Sequence, residues 1–471
     1  MKFPSLAFRN PELVVLAGSM LSGSLGISLA TVALPALARA FSASIPSVQW
    51  VIIAYLVAVT ASIVALGRLA DIIGQTRILI LGLVLFAVSS LACALAPSLS
   101  SLVVARVFQG IGGAVLMALP VSMIRTVVAK EKTGSAMGLL GTMSAVGTAL
   151  GPSLGGLTIE RYGWSAGFLA VGLMACMLLT MAIATFRGRS RAEKMASGSV
   201  DWLGSILLAL ALSTYALSMT SGNSPSDARG LLPITVVLIA LFAWRQKTAV
   251  SPLVPMALVG NRRIGLSLGM NLLVTTVMMS TLVVGPYMLS LGLGLGDSSI
   301  GLVMAVGPLT SALSGVPSGR LTDRYGAARM VPLGLLQIII GLLALAILPR
   351  LLGLWGYSLA LVLLTPGFQI FLAANNTVTM HTVAEEERGV LSGLLGLSRN
   401  LGFVTGASAM SALFAYNLGP AEHTATDPAL IAHAFTATFL IATALPLLAL
   451  VADLLRLRLA GTEREQKQEA R

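Results

Sequence analysis

The sequence predicts an all-α polytopic membrane protein, with fourteen spanning helices grouped as two six-helix bundles and a pair inserted between them. Three observations predict it. Only 10% of the 471 residues are charged and 56% are apolar, whereas soluble domains carry about 25% charged residues. Mean hydropathy is +0.91, so a water-soluble chain of this length could not cover its surface. Second, fourteen largely uncharged runs reach the roughly 20 residues that a helix needs to cross about 30 Å of hydrocarbon. Third, the chain repeats itself.

The runs lie at about 13–34, 48–67, 78–97, 101–124, 134–157 and 165–186, then 202–220 and 230–246, then 264–292, 298–317, 330–349, 354–379, 390–415 and 429–455. None shows the strict alternation of a barrel strand, so helices are the reading. Ala36-Leu37-Ala38 resembles a signal-peptide cleavage site, but the first run is longer than a usual signal core and opens a fourteen-span series. It is read as a retained span.

The net charge of +12 raises the question of a nucleic-acid partner, and the placement of the charges answers it. Twenty-four of the thirty basic residues fall in segments on the amino-terminal side of the membrane. Four, Arg39, Arg161, Arg229 and Arg350, fall in the opposite loops, and Arg106 and Arg399 fall within spans. This asymmetry is the positive-inside pattern. Both termini are expected to be cytoplasmic, and the lipid bilayer, not nucleic acid, is the expected partner. Cys93 and Cys176 have neither metal-ligand nor disulfide spacing, and no metal or cofactor is expected.

The repeat fixes the organisation. Gly67 to Arg77 (GRLADIIGQTR) corresponds to Gly319 to Arg329 (GRLTDRYGAAR), and Val128 to Gly151 aligns without gaps on Val383 to Gly406, at offsets of 252 and 255 residues. Copies with the same orientation imply halves related about the membrane normal. The expected domains are therefore residues 1–187, 188–261 (a basic cytoplasmic linker and the inserted helices 7 and 8), 262–458, and a charged cytoplasmic tail, 459–471, whose end is expected to be disordered.

Several motifs carry chemistry. In the first loop Gly67 and Gly74 flank Asp71. Glycine permits a tight reversal at φ > 0, an acid suits a helix amino terminus, and Arg77 can pair with acids or lipid phosphates. The second copy offers Gly319, Asp323, Arg324, Gly326 and Arg329. A gate or a charged turn that fixes topology are the two readings. Arg106 in the fourth span, with Gln109 and Gly110, either faces a polar interior or snorkels to the interface. Gly138, Gly147, Gly151-Pro152 and Gly155-Gly156 give the fifth span a nearly smooth face with a proline that removes a backbone hydrogen bond. In the second half Gly393, Gly402 and Gly406 persist, and Ala407 stands where the proline would be.

These motifs resemble the major facilitator superfamily, and specifically its fourteen-span drug:proton antiporter family, over essentially the whole membrane region. GRLADIIGQTR resembles motif A, RVFQGIGG (Arg106 to Gly113) resembles motif B, and the Gly138 to Gly156 run resembles the antiporter motif C. Thr31 to Pro35 resembles the end of the first-span motif, and Asp201-Trp202-x-Gly204 the start of the inserted pair. The resemblance implies the major facilitator fold, a central cavity, alternating access, and export of small amphiphilic compounds of the multidrug-efflux type by proton antiport. It implies a multi-pass protein of the bacterial inner membrane or plasma membrane, a monomer and not an enzyme. It makes Asp71 a gate acid, Arg106 the motif B arginine and Gly151-Pro152 a hinge.

There are departures. Ile72, Gln75 and Thr76 stand where motif A is normally basic, and Gly26 and Thr31 replace the aspartate and asparagine usual in the first span. All 18 acids lie in loops, tails or near span ends, while Arg399, followed by Asn400, lies midway along the thirteenth span. A cavity with cationic but no anionic groups disfavours cations, so neutral or anionic amphiphiles are the expected substrates. Arg399 has a structural alternative, pairing with backbone carbonyls. Thr31, Tyr55, Gln109, Asn271, Gln337, Gln369, Asn375 and Asn376 are candidates to line a cavity or to bond between helices. His381, His423 and His433 read as surface or core residues rather than proton relays. A facilitator or proton symporter on the same fold remains open, as does, more remotely, a membrane sensor or enzyme.

Overall fold

The structure is a computed structural model that describes residues 10–128, 133–187, 200–220, 225–250, 252–254, 256–383, 388–419 and 427–469. It is helical, with no strand among the described residues. In chain order the helices are α1 (Pro11–Phe41), α2 (Ile45–Ile73), α3 (Gln75–Ala94), α4 (Leu99–Val127), α5 (Thr133–Tyr162), α6 (Trp164–Thr185), α7 (Trp202–Thr220) and α8 (Pro225–Thr248). There follow the short α9 (Met256–Gly260), α10 (Arg262–Tyr287), α11 (Asp297–Tyr325), α12 (Ala327–Met380), α13 (Arg388–Thr405), α14 (Ser411–Leu418), α15 (Pro428–Ala442) and α16 (Ala444–Glu469).

Twelve helical segments among the described residues are long and apolar enough to cross a membrane. One of them, α12, has 54 residues and is two spans joined where Gly353 leaves helical geometry at φ 54°. The 30-residue α5, rich in glycine, serine and threonine, lies outside those twelve yet has spanning length. With these, span-length helices among the described residues number fourteen, as the hydropathy pattern predicts. α15 and α16 form one span, broken at Thr443 just before Pro446, whose ring nitrogen has no proton for the helix ladder.

Local chemistry sets the ends. Asn10 caps α1, accepting from the backbone N–H of Glu12 at 3.1 Å, and its own amide donates to the Val127 carbonyl at 3.2 Å, tying the start of α1 to the end of α4. Ser98 and Ser101 form a capping box at α4, and Asn261 and Asp427 cap α10 and α15. Each satisfies N–H groups that a helix start leaves open.

The chain forms two compact units, Met1–Leu253 with Leu295–Leu309, and Val254–Gly294 with Thr310–Arg471. In the first, α1 is the central helix, packed on α5, α4 and α6, with α2 and α3 against α4. The inserted α7 and α8 pack on each other, and α7 lies on α2, where the Trp50 indole donates to Thr220 Oγ1 at 3.2 Å. In the second, α10 packs on α13 and α16, and α12 on α15 and α16. First-on-fifth packing thus recurs in both units. Outward faces carry large apolar side chains, among them Leu81 and Val88 on α3, Val236 and Trp244 on α8 and Ile340 and Ile347 on α12. Such faces suit lipid, not water.

The basic linker lies, over 188–199, outside the described residues, as do the loop segments 129–132 and 384–387 and His423. The charged tail begins as a continuation of α16, helical to Glu469, rather than as a separate segment.

Candidate functional site

The duplicated loops share a backbone geometry. Gly74, between α2 and α3, has φ 113° and ψ 131°, and Gly326, between α11 and α12, has φ 87° and ψ 132°. Each donates its N–H four residues back, to Ala70 and Thr322. At these positive φ values a Cβ would be strained, which is why glycine recurs there. Asp71 sits in the last turn of α2, exposed, and accepts from the Gln75 amide at 3.5 Å. That bond is to the Gln75 side chain and not to a backbone N–H at the start of α3, so Asp71 does not fill the capping role its position suggests. Arg77, Asp323, Arg324 and Arg329 are exposed, and Gly67 and Gly319 have open space where a Cβ would stand.

Arg106 is 0% exposed, which removes the snorkelling reading. Its Nε donates to the Val51 carbonyl at 2.7 Å, and Nη1 donates to the Gly26 carbonyl at 3.0 Å and to Gln109 Oε1. The guanidinium carbon lies 4.2 Å from the Tyr55 ring centre, a cation–π contact that strengthens when desolvated. Gln109 in turn donates to Ser90 Oγ at 2.7 Å, and Tyr55 Oη donates to the Gly23 carbonyl at 3.1 Å. Gly110 has no room for a Cβ beside the Tyr55 backbone, which would lie 2.5 Å away. The arginine, glutamine and tyrosine thus form one network holding α1, α2, α3 and α4. No carboxylate among the described residues joins it: the guanidinium meets the carbonyl of Gly26, the residue at the place of the usual acid.

The motif C glycines are packing surfaces. A Cβ on Gly147 would lie 2.5 Å from the Leu21 carbonyl oxygen, one on Gly151 2.6 Å from Ser28 Cβ, and one on Gly156 2.8 Å from Gly301 Cα. Gly155 has ordinary space beside Leu29, and Gly138 lies on α5 near its start. α5 runs through Pro152 as one helix. In the second unit Gly406 likewise lies where a Cβ would approach Met279 Cβ at 2.8 Å, and Gly402 where it would approach the Leu272 oxygen at 2.5 Å. There residues Gly406–Met410 form a π turn at the position that Pro152 occupies in the first half. Both devices interrupt the regular helix ladder.

Near Gly156, the start of α11 adds polar contacts within the first unit. Asp297 pairs with Arg39 at 2.9 Å, and the Ser298 N–H donates to Glu160 at 3.0 Å. In the inserted pair, Asp201, 5% exposed, accepts from the Gly204 N–H, from Arg245 at 2.9 Å and from Gln246 at 3.0 Å.

Most cavity candidates are spent on bonds between or within helices. Thr31 is buried and donates to the Ser28 carbonyl, Asn271 donates to the Leu395 carbonyl at 2.9 Å, Asn375 to the Ser267 carbonyl at 3.1 Å, Gln337 to the Leu363 carbonyl and Gln369 to Ser311. Asn400 is buried. Asn376 and Arg399 differ: both are exposed, and neither has a hydrogen-bond or ion-pair partner among the described residues. Arg399 shares an exposed face of α13 with Ser392, two turns earlier. An unpaired guanidinium midway through a span is costly against hydrocarbon and suits water. Sequence reasoning missed a further cluster, Asp453 and Arg456 with Asn375 and Ser267, buried where α16 meets α10 and α12. In sequence the pair looks like the charged margin of the last span.

Comparison with known proteins agrees with this architecture. The family model for the Major Facilitator Superfamily matches residues 16–292 and 265–471. The riboflavin transporter RibZ of Clostridioides difficile is 27% identical over 412 residues, covering 86% of this chain and 88% of its own. The uncharacterized transporter YebQ of Escherichia coli is 32% identical, covering 83% and 87%. The tetracenomycin C resistance and export protein of Streptomyces glaucescens is 29% identical, covering 87% and 76%. Among solved structures, a peptide transporter superposes with a TM-score of 0.71 at 14% identity, covering 96% of both chains. The nucleoside transporter NupG does so with 0.68 at 13%, covering 95% and 100%. This multi-pass membrane protein belongs to the major facilitator superfamily.

Proposed function

We propose that the chain exports small amphiphilic compounds, neutral or anionic, by alternating access, in exchange for protons. The observation that carries the substrate class is Arg399, an exposed guanidinium midway along α13 with no acid paired to it among the described residues. A fixed positive charge in a low-dielectric setting raises the local concentration of anions and repels cations. In this reading the motif A acids Asp71 and Asp323 and their neighbouring arginines act at the gates. The packed glycines of α5 and α13 carry the helix movements, and Arg106 keeps the first bundle rigid. The protein works as a monomer in a bacterial inner membrane or plasma membrane, with both termini in the cytoplasm as the charge asymmetry supports.

The test uses inverted vesicles with and without a pH gradient. 1-Anilinonaphthalene-8-sulfonate, a permanent anion, is compared with tetraphenylphosphonium, a permanent cation. Gradient-driven uptake of the sulfonate with little movement of the cation is expected, and the reverse pattern would overturn the reading. A second reading, a facilitator or symporter of a metabolite, has support from the name of the riboflavin-transporting relative. Sulfonate counterflow without any pH effect would favour the facilitator, and uptake along the proton gradient the symporter.

A further inference from the structure

The first span, residues 13–34, holds no carboxylate, so proton antiport by this chain relies on a titratable group elsewhere. Asp453 is the strongest candidate among the described residues. It is 0% exposed although it lies within the last span. One carboxylate oxygen, Oδ1, accepts from Arg456 Nη2. The other, Oδ2, is buried with no hydrogen-bond partner. A buried ionised carboxylate needs its remaining lone pairs satisfied, and an oxygen left bare is a place where a proton is taken up at little structural cost.

The surroundings link this oxygen to Arg399. Arg456 Nη1 contacts Ser267 Oγ at 3.3 Å on α10 and Asn375 Oδ1 at 3.4 Å on α12. Asn375 donates to the Ser267 carbonyl. One residue further along α10, the Leu268 carbonyl accepts from Ser398 Oγ, the immediate neighbour of Arg399 on α13. A turn on, Asn271 donates to the Leu395 carbonyl of α13. A contiguous polar path within one bundle therefore runs from the carboxylate to the helix that bears the unpaired cation.

We propose that Asp453 is the carboxylate whose protonation drives the transport cycle, a deepening of the antiport reading on which it rests. In the proton step a hydronium ion gives its proton to Oδ2. The new O–H bond forms, water leaves, and the Asp453–Arg456 pair goes from neutral to a net charge of +1. The ion pair loosens, Arg456 shifts its donors towards Ser267 and Asn375, and α10 passes the change to α13. Return of the proton to water on the opposite side of the membrane restores the pair. Through Arg456 the pair meets Ser267 of α10 and Asn375 of α12, both buried. The charged group on that stretch of α10 is Arg263, one turn before Ser267. On α15 the titratable group is His433, twenty residues earlier in the same span and so on the order of 30 Å away.

The full-length chain is reconstituted as wild type, Asp453→Asn and Asp453→Glu, and two quantities are read. Infrared difference spectra between alkaline and acidic pH report carboxyl protonation without any substrate. Sulfonate transport is measured both as counterflow at equal pH and as accumulation driven by a pH gradient. Asp453→Asn should lose one protonated-carboxyl band and at least tenfold of the gradient-driven accumulation, while counterflow stays within twofold. Asp453→Glu should restore a band and part of the accumulation. Identical infrared bands in wild type and Asp453→Asn would overturn the assignment, as would undiminished gradient-driven accumulation. Parallel loss of counterflow and accumulation in Asp453→Asn would make the pair structural and also overturn it. A wild-type chain with no gradient-driven accumulation but a band lost in Asp453→Asn would instead overturn antiport and leave Asp453 as a proton-binding group.

Discussion

Replacing Gly151 by alanine tests the packing on which both bundles rely. The added methyl would lie 2.6 Å from Ser28 Cβ and 2.8 Å from the Leu29 backbone nitrogen, and closer still to Ser28 Oγ. Ser28 cannot easily give way, because its hydroxyl donates to the Ser24 carbonyl and, across the helix pair, to the Gly147 carbonyl at 3.1 Å. The Leu29 nitrogen belongs to the backbone of α1, so the helices themselves must separate. Overpacking of a close-packed interior costs about 1–3 kcal/mol, and the lost Ser28–Gly147 bond adds about 1 kcal/mol. Gly151→Ala should therefore be destabilised by about 2–4 kcal/mol, seen as a lower thermal midpoint in detergent with wild-type secondary structure. Combining it with Ser28→Gly, which empties the space the methyl needs, should recover at least about 1 kcal/mol relative to the sum of the single effects. Strict additivity, or a Gly151→Ala protein as stable as wild type, would refute the reasoning.

Three other outcomes are expected. Arg106→Met should cost about 3–5 kcal/mol, because the Val51 and Gly26 carbonyls and Gln109 lose a charged donor in a buried site; a melting series in detergent checks it. Gly74→Ala and Gly326→Ala should each cost about 1–3 kcal/mol from their positive φ, and similar losses at the two loops would reflect their shared geometry. Gly204→Ala should loosen the inserted pair, since a methyl there would lie 2.7 Å from Gln246 Nε2 and against the Asp201 carboxylate; proteolysis within the 188–199 linker should quicken, and no change would refute the role of the Asp201 contacts.

Much of this was legible in the sequence because lipid imposes simple rules. Spans follow from runs of apolar residues, and the break at Gly353 falls between two runs read separately. The repeated GRLxDxxGxxR loops were readable as matching turns because only glycine takes φ of 113° and 87° without strain. The motif C glycines declared themselves as contact surfaces, though their partners did not. What stayed hidden depends on contacts across long stretches of chain. Arg106 is fixed by Val51, 55 positions away, and Arg456 by Ser267, 189 positions away. Nothing in Asp453-Leu454-Leu455-Arg456 distinguishes a buried pair from the charged margin of a span. Nor does local sequence tell an asparagine bonded to a neighbouring helix, such as Asn375, from an exposed one, such as Asn376.

The substrate claim is tested most directly by the affinity of an Arg399→Gln protein for two probes of different charge. A charge-assisted hydrogen bond is worth about 1.5–3 kcal/mol, and about 1.4 kcal/mol is tenfold in affinity. The KM for 1-anilinonaphthalene-8-sulfonate should therefore rise by roughly 10-fold to 100-fold, while transport of an uncharged amphiphile stays within twofold of wild type. Equal effects on both probes, or none on the anion, would contradict an anion-favouring site built on Arg399.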